Sequence, residues 1–485
     1  MFAMTNKISC SLRLARSAVA LRPRDRSITS DYSTSTLTSP STTTHTTHAI
    51  PYWQNIWKDV GETDFLTYRW QTRNTIERPE KLLDFLKRVV PERIPGTSAA
   101  VHGGEQFVAR EAFLEDVYGG MEKAPMSVRL TPHVLSVINW QAPLQDPVLR
   151  QFLPLKSRIL PDHPELSLDS LHEEGDSPVA GLVHRYPDRV LFLGKYLNIC
   201  TFLCSSTTDC LLATSVCPVY CRFCTRSYAV GADTESVTKH SLKPARRRWD
   251  AMFEYIEKTP QIQDVVVSGG DSYYLDPSHL TRIGHRLLDI PHIKRFRFAT
   301  KGLAVCPMRM TDPNDAWVNA FVEISNRGRA VGKEVAMHTH FNHPNEITWA
   351  TEMAARTLFQ RGVRVRNQTV LLRGVNDTIA TMAQLMRKLS DLMIQPYYVY
   401  LGDMVKGVED LRTSLATALH IEKNLIGGIA GFNMPKFVVD LPGGGGKRPV
   451  TSFETYDTKT GVSTWKAPAV AGDKVFQYHD PVKRD

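Results

Sequence analysis

Three cysteines set the chemistry to be expected. The loop Cys217-Pro-Val-Tyr-Cys221-Arg-Phe-Cys224 spaces its thiols C-x3-C-x2-C. Three thiolates on one short loop can cap three irons of a [4Fe–4S] cube and leave the fourth iron without a protein ligand. A cluster used only for electron transfer normally takes four cysteines, so an iron with an open position implies chemistry on a bound small molecule. A zinc site would instead need a fourth Cys or His at a partner spacing; none stands nearby in register, and a long-range partner stays open. Lys447 offers a second reactive group. It follows Gly443-Gly444-Gly445-Gly446, but Arg448 stands where a phosphate-cradling G-x4-G-K-[ST] loop needs Ser or Thr. Read locally, it is a lysine on a mobile glycine linker. Ser268-Gly269-Gly270-Asp271 reads as a strand–helix turn whose glycines let backbone approach a ligand closely.

Longer motifs surround these groups in a fixed order. They are His184-Arg185-Tyr186-Pro187-Asp188-Arg189, Cys221-Arg222-Phe223-Cys224-Thr225-Arg226, Ser268–Asp271, His340-Phe341-Asn342-His343-Pro344-Asn345-Glu346, Asn367-Gln368 leading to Leu372-Arg373-Gly374-Val375-Asn376-Asp377, and Pro442–Lys447. Over roughly residues 51–450 the chain resembles the lysine 2,3-aminomutases, radical S-adenosylmethionine (SAM) enzymes that also carry pyridoxal phosphate (PLP).

The resemblance implies a [4Fe–4S] cluster on Cys217, Cys221 and Cys224. It implies SAM contacts from Ser268, Gly269, Gly270, Asp271, His340 and Gln368. Lys447 would form the Schiff base with PLP, and Arg185 and Arg189 would hold its phosphate. Arg226 would grip the substrate carboxylate, a task suited to a bidentate guanidinium. Asp403 and Asp440 would hold the far ammonium of lysine; two acids at one spot repel unless a cation arrives, which favours a terminal ammonium and disfavours glutamate. The implied reaction cleaves SAM to a deoxyadenosyl radical, removes hydrogen from C3 of PLP-bound lysine, and moves nitrogen from C2 to C3 to give L-β-lysine. The implied partners are an amino-acid substrate and an electron donor of ferredoxin or flavodoxin type. The same chemistry on another cationic substrate (arginine, or a lysine side chain in a protein) stays open, as does an inactive PLP-binding descendant, although Cys217, Cys221, Cys224 and Lys447 are intact. Two departures stand out. Thr225-Arg226-Ser227-Tyr228 is poorer in arginine than the family's segment. The zinc-binding cysteines of bacterial relatives have no counterpart here, since no cysteine follows Cys306 and Thr378 stands where one would lie. No zinc is therefore expected, and a homo-oligomer is left open.

These residues need a scaffold. Strand-like runs at 189–193 (or 212–216), 264–268, 293–299, 334–340, 363–372, 395–401 and 436–441 alternate with helical patterns at 245–258, 278–289, 315–327, 348–361 and 378–393. Such alternation means βαβ units on a parallel sheet. The expected fold is α/β: a partial TIM-like (β/α)6 radical SAM barrel over 181–442, a helical N-terminal region over 49–180, and a short C-terminal segment, 443–485, carrying the PLP lysine. The chemistry should gather at the C-terminal strand ends.

The 485 residues fit about three domains or one extended barrel. The net charge of +9 is concentrated at the front: residues 1–48 carry +4, leaving +5 over the other 437. That excludes a nucleic-acid binder on charge, and Arg246-Arg247-Arg248 reads as a solvated helix face. No run approaches the ~18–20 apolar residues a membrane span requires, so no membrane partner is expected. The first 24 residues are Arg-rich and acid-free, with Ile8, Leu12, Ala15 and Val19 on one helical face, and a Ser/Thr tract follows at 33–47. That is the composition of a mitochondrial transit peptide and a disordered linker, and it points to the matrix, the alternative being an untargeted disordered tail on a cytoplasmic protein. Residues 194–212 carry Cys200, Cys204 and Cys210 and interrupt the family pattern. They read either as a loop or as a retained intron, because Leu193 joined to Ala213 restores a plain strand.

Overall fold

Most of the strand-like runs join one sheet. The computed structural model describes residues 51–97, 106–193, 216–239 and 246–482. Residues 1–48, expected to be a targeting segment and linker, and the interruption at 194–212 lie outside the described residues, as do the side chains of Arg246, Arg247 and Arg248.

Residues 51–180 hold several helices, the longest being Pro79–Val89 and Arg110–Lys123, and a short antiparallel pair, β1 (Arg93–Pro95) and β2 (Phe107–Ala109). The central sheet then follows in chain order: β3 (Leu182–Tyr186), β4 (Arg189–Leu193), β5 (Asp264–Ser268), β6 (Arg295–Ala299), β7 (Glu334–Thr339), β8 (Arg364–Val370), β9 (Ile394–Tyr400), β10 (Lys436–Leu441) and β11 (Gly446–Pro449). From β4 to β10 every neighbouring pair is parallel. β3 and β11 add antiparallel edges. The sheet thus carries seven parallel strands where a (β/α)6 count implies six; the extra one is β10, whose Phe437-Val438-Val439 core is buried and pairs with β9. Inner strands such as Val265-Val266-Val267 and Val438-Val439 are near-continuous in apolar, β-branched residues because helices cover the sheet.

The helices between strands start on polar caps and turn one apolar face inward. In Pro277–Asp289 the side chain of Asp276 accepts from the Ser278 amide, Pro277 opens the first turn, and Leu280, Ile283 and Leu287 are buried. Gly284 lets this helix approach Trp317–Ala330, since a Cβ there would lie 2.6 Å from Ile324. Thr378 caps Ile379–Asp391 by accepting from the Thr381 amide.

The two sheet edges share no ladder, yet they touch. The Lys447 amide on β11 donates to the Tyr186 hydroxyl on β3 at 2.9 Å. Arg185 on β3 faces Asp440 on β10 at 3.8 Å. The sheet has therefore curled almost into a barrel. Beyond β11 the chain builds an antiparallel sheet from β12 (Thr455–Asp457), β13 (Val462–Lys466) and β14 (Val475–His479), which the sequence patterns did not announce. Among the described residues, no helix is long and apolar enough to cross a membrane.

Candidate active site

The curled sheet encloses a cavity of about 480 Å³ lined along its strands, from Asp264 at the start of β5 to Ser268 at its end. Every residue expected to hold a cofactor or substrate lines it, with one exception. Gly269 shapes the turn after β5 instead, at a φ of 131° that a side chain would resist.

Cys217, Cys221 and Cys224 reach one wall from the loop before the helix Arg246–Glu257. Burial raises all three thiols: Cys217 well above its ordinary value, helped by Asp271, and Cys221 to about 12 despite the nearby Lys301 charge. Thiols this buried stay protonated unless a cation joins them. Among the described residues no group of three His, Cys, Asp or Glu gathers at one metal ion. A cube needs no such convergence, because each cysteine binds a different iron. Three buried thiols lining one cavity from one loop are the kind of donor set such a cluster would take.

Across the cavity, the Lys447 ammonium lies 2.6 Å from Asp440 Oδ2 and 5.5 Å from the Tyr400 ring centre. Burial alone would lower its pKa, but the Asp440 charge, with Tyr400 and Tyr186, holds it well above the usual lysine value. Asp403, just past β9, has a buried Oδ1 with no hydrogen-bond partner; Asp440 Oδ1 is also without one. Burial first, and then the charge of Asp440, push the Asp403 carboxyl up to about 8. Asp403, with a buried carboxylate oxygen that has no hydrogen-bond partner beside the charge of Asp440, is a seat for a further cation. Arg185 is partly committed: its Nε donates to Asp176 at 2.7 Å and its Nη2 to the Leu171 carbonyl. Arg189 lies over the Tyr186 ring at 3.7 Å and pairs with Asp188 at 3.0 Å.

Arg226 has a partner that sequence reasoning missed. Glu173, from the N-terminal region, grips its Nε and Nη2 at 2.9 and 2.7 Å, and Tyr228 donates to the same carboxylate at 3.1 Å. Burial would raise the Glu173 carboxyl, but Arg226 and Tyr228 hold it below its ordinary value. With Nε and one side of Nη2 engaged, the Nη1 end of the guanidinium is left toward Ser268, whose Oγ is 3.4 Å away.

Asp271 is spent on structure: its Oδ1 accepts from the Tyr273 amide and its Oδ2 from the Lys301 amide, both at 2.8 Å. His340 pairs with Asn342 at 3.1 Å, and burial, then the Lys301 charge, lower it to about 3, so its ring is neutral. Gln368 reaches His338 at 3.4 Å. Sequence reasoning also passed over Lys301, whose ammonium pairs with buried Glu346 at 2.7 Å and donates to the His340 carbonyl at 2.8 Å. Its one signal was an ionisable residue just past a strand end, two residues beyond β6.

No family model matches the chain. Relatives with assigned names do. The chain is 36% identical over 395 residues to the L-lysine 2,3-aminomutase of Clostridium subterminale, spanning 81% of this chain and 80% of that one. It is 34% identical over 400 residues to the L-lysine 2,3-aminomutase of Bacillus subtilis, across 82% and 71%. It is 32% identical over 302 residues to the glutamate 2,3-aminomutase of Clostridioides difficile, across 61% and 63%. With this much identity spread over most of the C. subterminale enzyme and most of the described fold, the chain belongs to the lysine 2,3-aminomutase family.

Proposed function

We propose that this aminomutase is a radical SAM, PLP-dependent enzyme that moves the amino group of L-lysine from C2 to C3, giving L-β-lysine. One observation carries the substrate: Asp403, whose buried Oδ1 has no hydrogen-bond partner, shares a cavity with Asp440, the cysteine trio and Lys447. A glutamate side chain would bring a third carboxylate against that pair, so the resemblance to a glutamate 2,3-aminomutase does not set the substrate here.

Cys217, Cys221 and Cys224 would hold the cluster, Ser268, Gly270, His340 and Gln368 would line the SAM side, and Lys447 would hold PLP, with Arg185 and Arg189 as its nearby cations. When bound, the cluster and SAM supply one-electron chemistry at an unactivated C–H bond, and PLP supplies a π-bond through which nitrogen can move. The chain's own groups do the rest. Arg226 orients the substrate carboxylate with the edge that Glu173 leaves free. Asp403 and Asp440 fix the far ammonium and so place C3 in the cavity. Asp440 Oδ2, 2.6 Å from Lys447 Nζ, holds that lysine in position. The walls exclude water from reactive species. We further propose import into the mitochondrial matrix by residues 1–48 and reduction by a ferredoxin- or flavodoxin-type donor.

The test is anaerobic reconstitution with iron, sulfide, PLP and SAM, followed by incubation with lysine, arginine or glutamate and analysis for β-amino acids. β-Lysine alone is the expected product. Turnover of arginine instead would move the substrate and spare the mechanism; a protein that retains neither iron nor PLP ends the proposal.

A further inference from the structure

The far ammonium and the reactive lysine must sit a fixed distance apart if the site is to measure substrate length. Asp440 is fixed on β10 beside Lys447, but Asp403, the other acid of the ammonium seat, and the glycines that lead into Lys447 lie on loops that rest on one strand. β14 turns Phe476 and Tyr478 inward and its other residues outward. Tyr478, fully buried, donates its hydroxyl to the Gly402 carbonyl at 2.7 Å, and Gly402 directly precedes Asp403. The same loop is tied again further on. Arg412, held by Glu409 at 2.9 Å, lies 5.3 Å from the Tyr478 ring centre and donates to the His479 carbonyl. The Val482 amide donates to Glu409 at 2.8 Å. Two residues back, Phe476 meets the glycine loop of Lys447. A Cβ on Gly445 would lie 2.9 Å from the Phe476 ring, so the loop packs directly on that ring.

We propose that the C-terminal sheet is a platform that sets which substrates fit, with Tyr478 and Phe476 as its positioning residues. Alternate residues on a strand stand roughly 7 Å apart on one face, and a strand cannot stretch. Phe476 and Tyr478 therefore hold the Lys447 loop and the Asp403 loop at a set spacing, which selects an amino acid by the reach of its terminal ammonium. Neither residue lines the cavity, so both act through the loops they carry. The substrate part of this inference rests on the lysine reading above; the positioning part does not.

The experiment compares Tyr478→Phe, Phe476→Leu and Tyr456→Phe with the parent protein loaded with PLP. Tyr456 belongs to the same sheet but bonds Asp480 and the Ala416 amide, so it touches neither loop. Titration with lysine and with norleucine, which lacks the terminal ammonium, is followed by PLP absorbance. Hydrogen exchange is measured over 402–406 and 443–447. In Tyr478→Phe the affinity for lysine should fall about tenfold while that for norleucine stays within about twofold, a size set by one lost hydrogen bond. Exchange should quicken over 402–406 in that variant and over 443–447 in Phe476→Leu, and Tyr456→Phe should change neither. Equal losses for both ligands, or unchanged exchange in either loop, would overturn the platform. A parent protein with no preference for lysine over norleucine would overturn the substrate reading, and the exchange data would then decide the platform by themselves.

Discussion

Asp403 ties the site's electrostatics to pH. Its carboxyl, raised from 3.8 to about 8 by burial and then by Asp440, is largely protonated at neutral pH. A substrate ammonium favours the ionised form, so lysine binding below pH 8 should expel a proton. Apparent affinity should climb as pH rises toward 8 and level off above it. Folding responds in the opposite sense. A raised acid contributes stability that is complete below pH 3.8 and is lost as pH rises through 8. Calorimetry at pH 7 in buffers of different ionisation enthalpy should show close to one proton released per lysine bound, and Asp403→Asn should abolish it. Release that persists in that variant would mean another group supplies the proton. At this scale the sequence exposed residues embedded in long ordered motifs, such as the cysteines and Lys447, whereas Asp403 and Asp440 lie in no such motif and came only from the resemblance as a whole. Glu173 and Lys301 escaped because their roles exist only across space. Glu173 sits 53 residues from Arg226, in the charge-mixed stretch His172-Glu173-Glu174-Gly175-Asp176, where nothing local separates a buried ion-pair partner from a solvated acid.

Periodicity made the elements easier to foresee than their partners. The runs at 264–268 and 436–441 match β5 and β10 end to end, and the helical patterns at 348–361 and 378–393 enclose Trp349–Gln360 and Ile379–Asp391. Their cores follow the two-residue or 3.6-residue repeat, which packing only reinforces. Two edge strands were hidden. β3 contains His184-Arg185-Tyr186, polar because an edge beside the cavity needs side chains that reach it. β11 starts at Gly446, the last of four glycines that propensity assigns to a linker, yet four-residue pairing with β10 fixes Lys447 opposite Asp440. The strand entry depends on Gly446, whose φ is +73° and whose Cβ would lie 2.8 Å from the Tyr186 hydroxyl. Gly446→Ala pays for a left-handed backbone, about 1–2 kcal/mol, and also strikes that hydroxyl. The variant should melt earlier and retain far less PLP, read as lost absorbance after desalting. Parent-like PLP content would show that β11 is not what holds Lys447 in place.

Closure of the sheet belongs to the whole molecule and could not be read from any one stretch. The order of the strands was legible, but whether the last edge meets the first depends on twist and tilt summed over nine of them. Here the gap is bridged by side chains in place of a ladder. Tyr186 accepts the Lys447 amide, and Arg185 faces Asp440. An edge satisfied this way is cheaper to open than a paired one, because a few bonds replace a row. It also puts Lys447, the lysine proposed to hold PLP, directly on the seam, so the seam's stability bears on the proposed reaction. Tyr186→Phe removes the acceptor and keeps the ring that lies under Arg189. The Lys447 amide would then lack a partner at the junction, at a cost of about 1 kcal/mol or more. Hydrogen exchange over 443–449 should quicken by roughly tenfold in this variant while exchange in β5 to β8, the middle of the sheet, stays at the parent rate. Uniform quickening would mean that Tyr186 supports the fold as a whole; no change would mean that the two edges hold together without it.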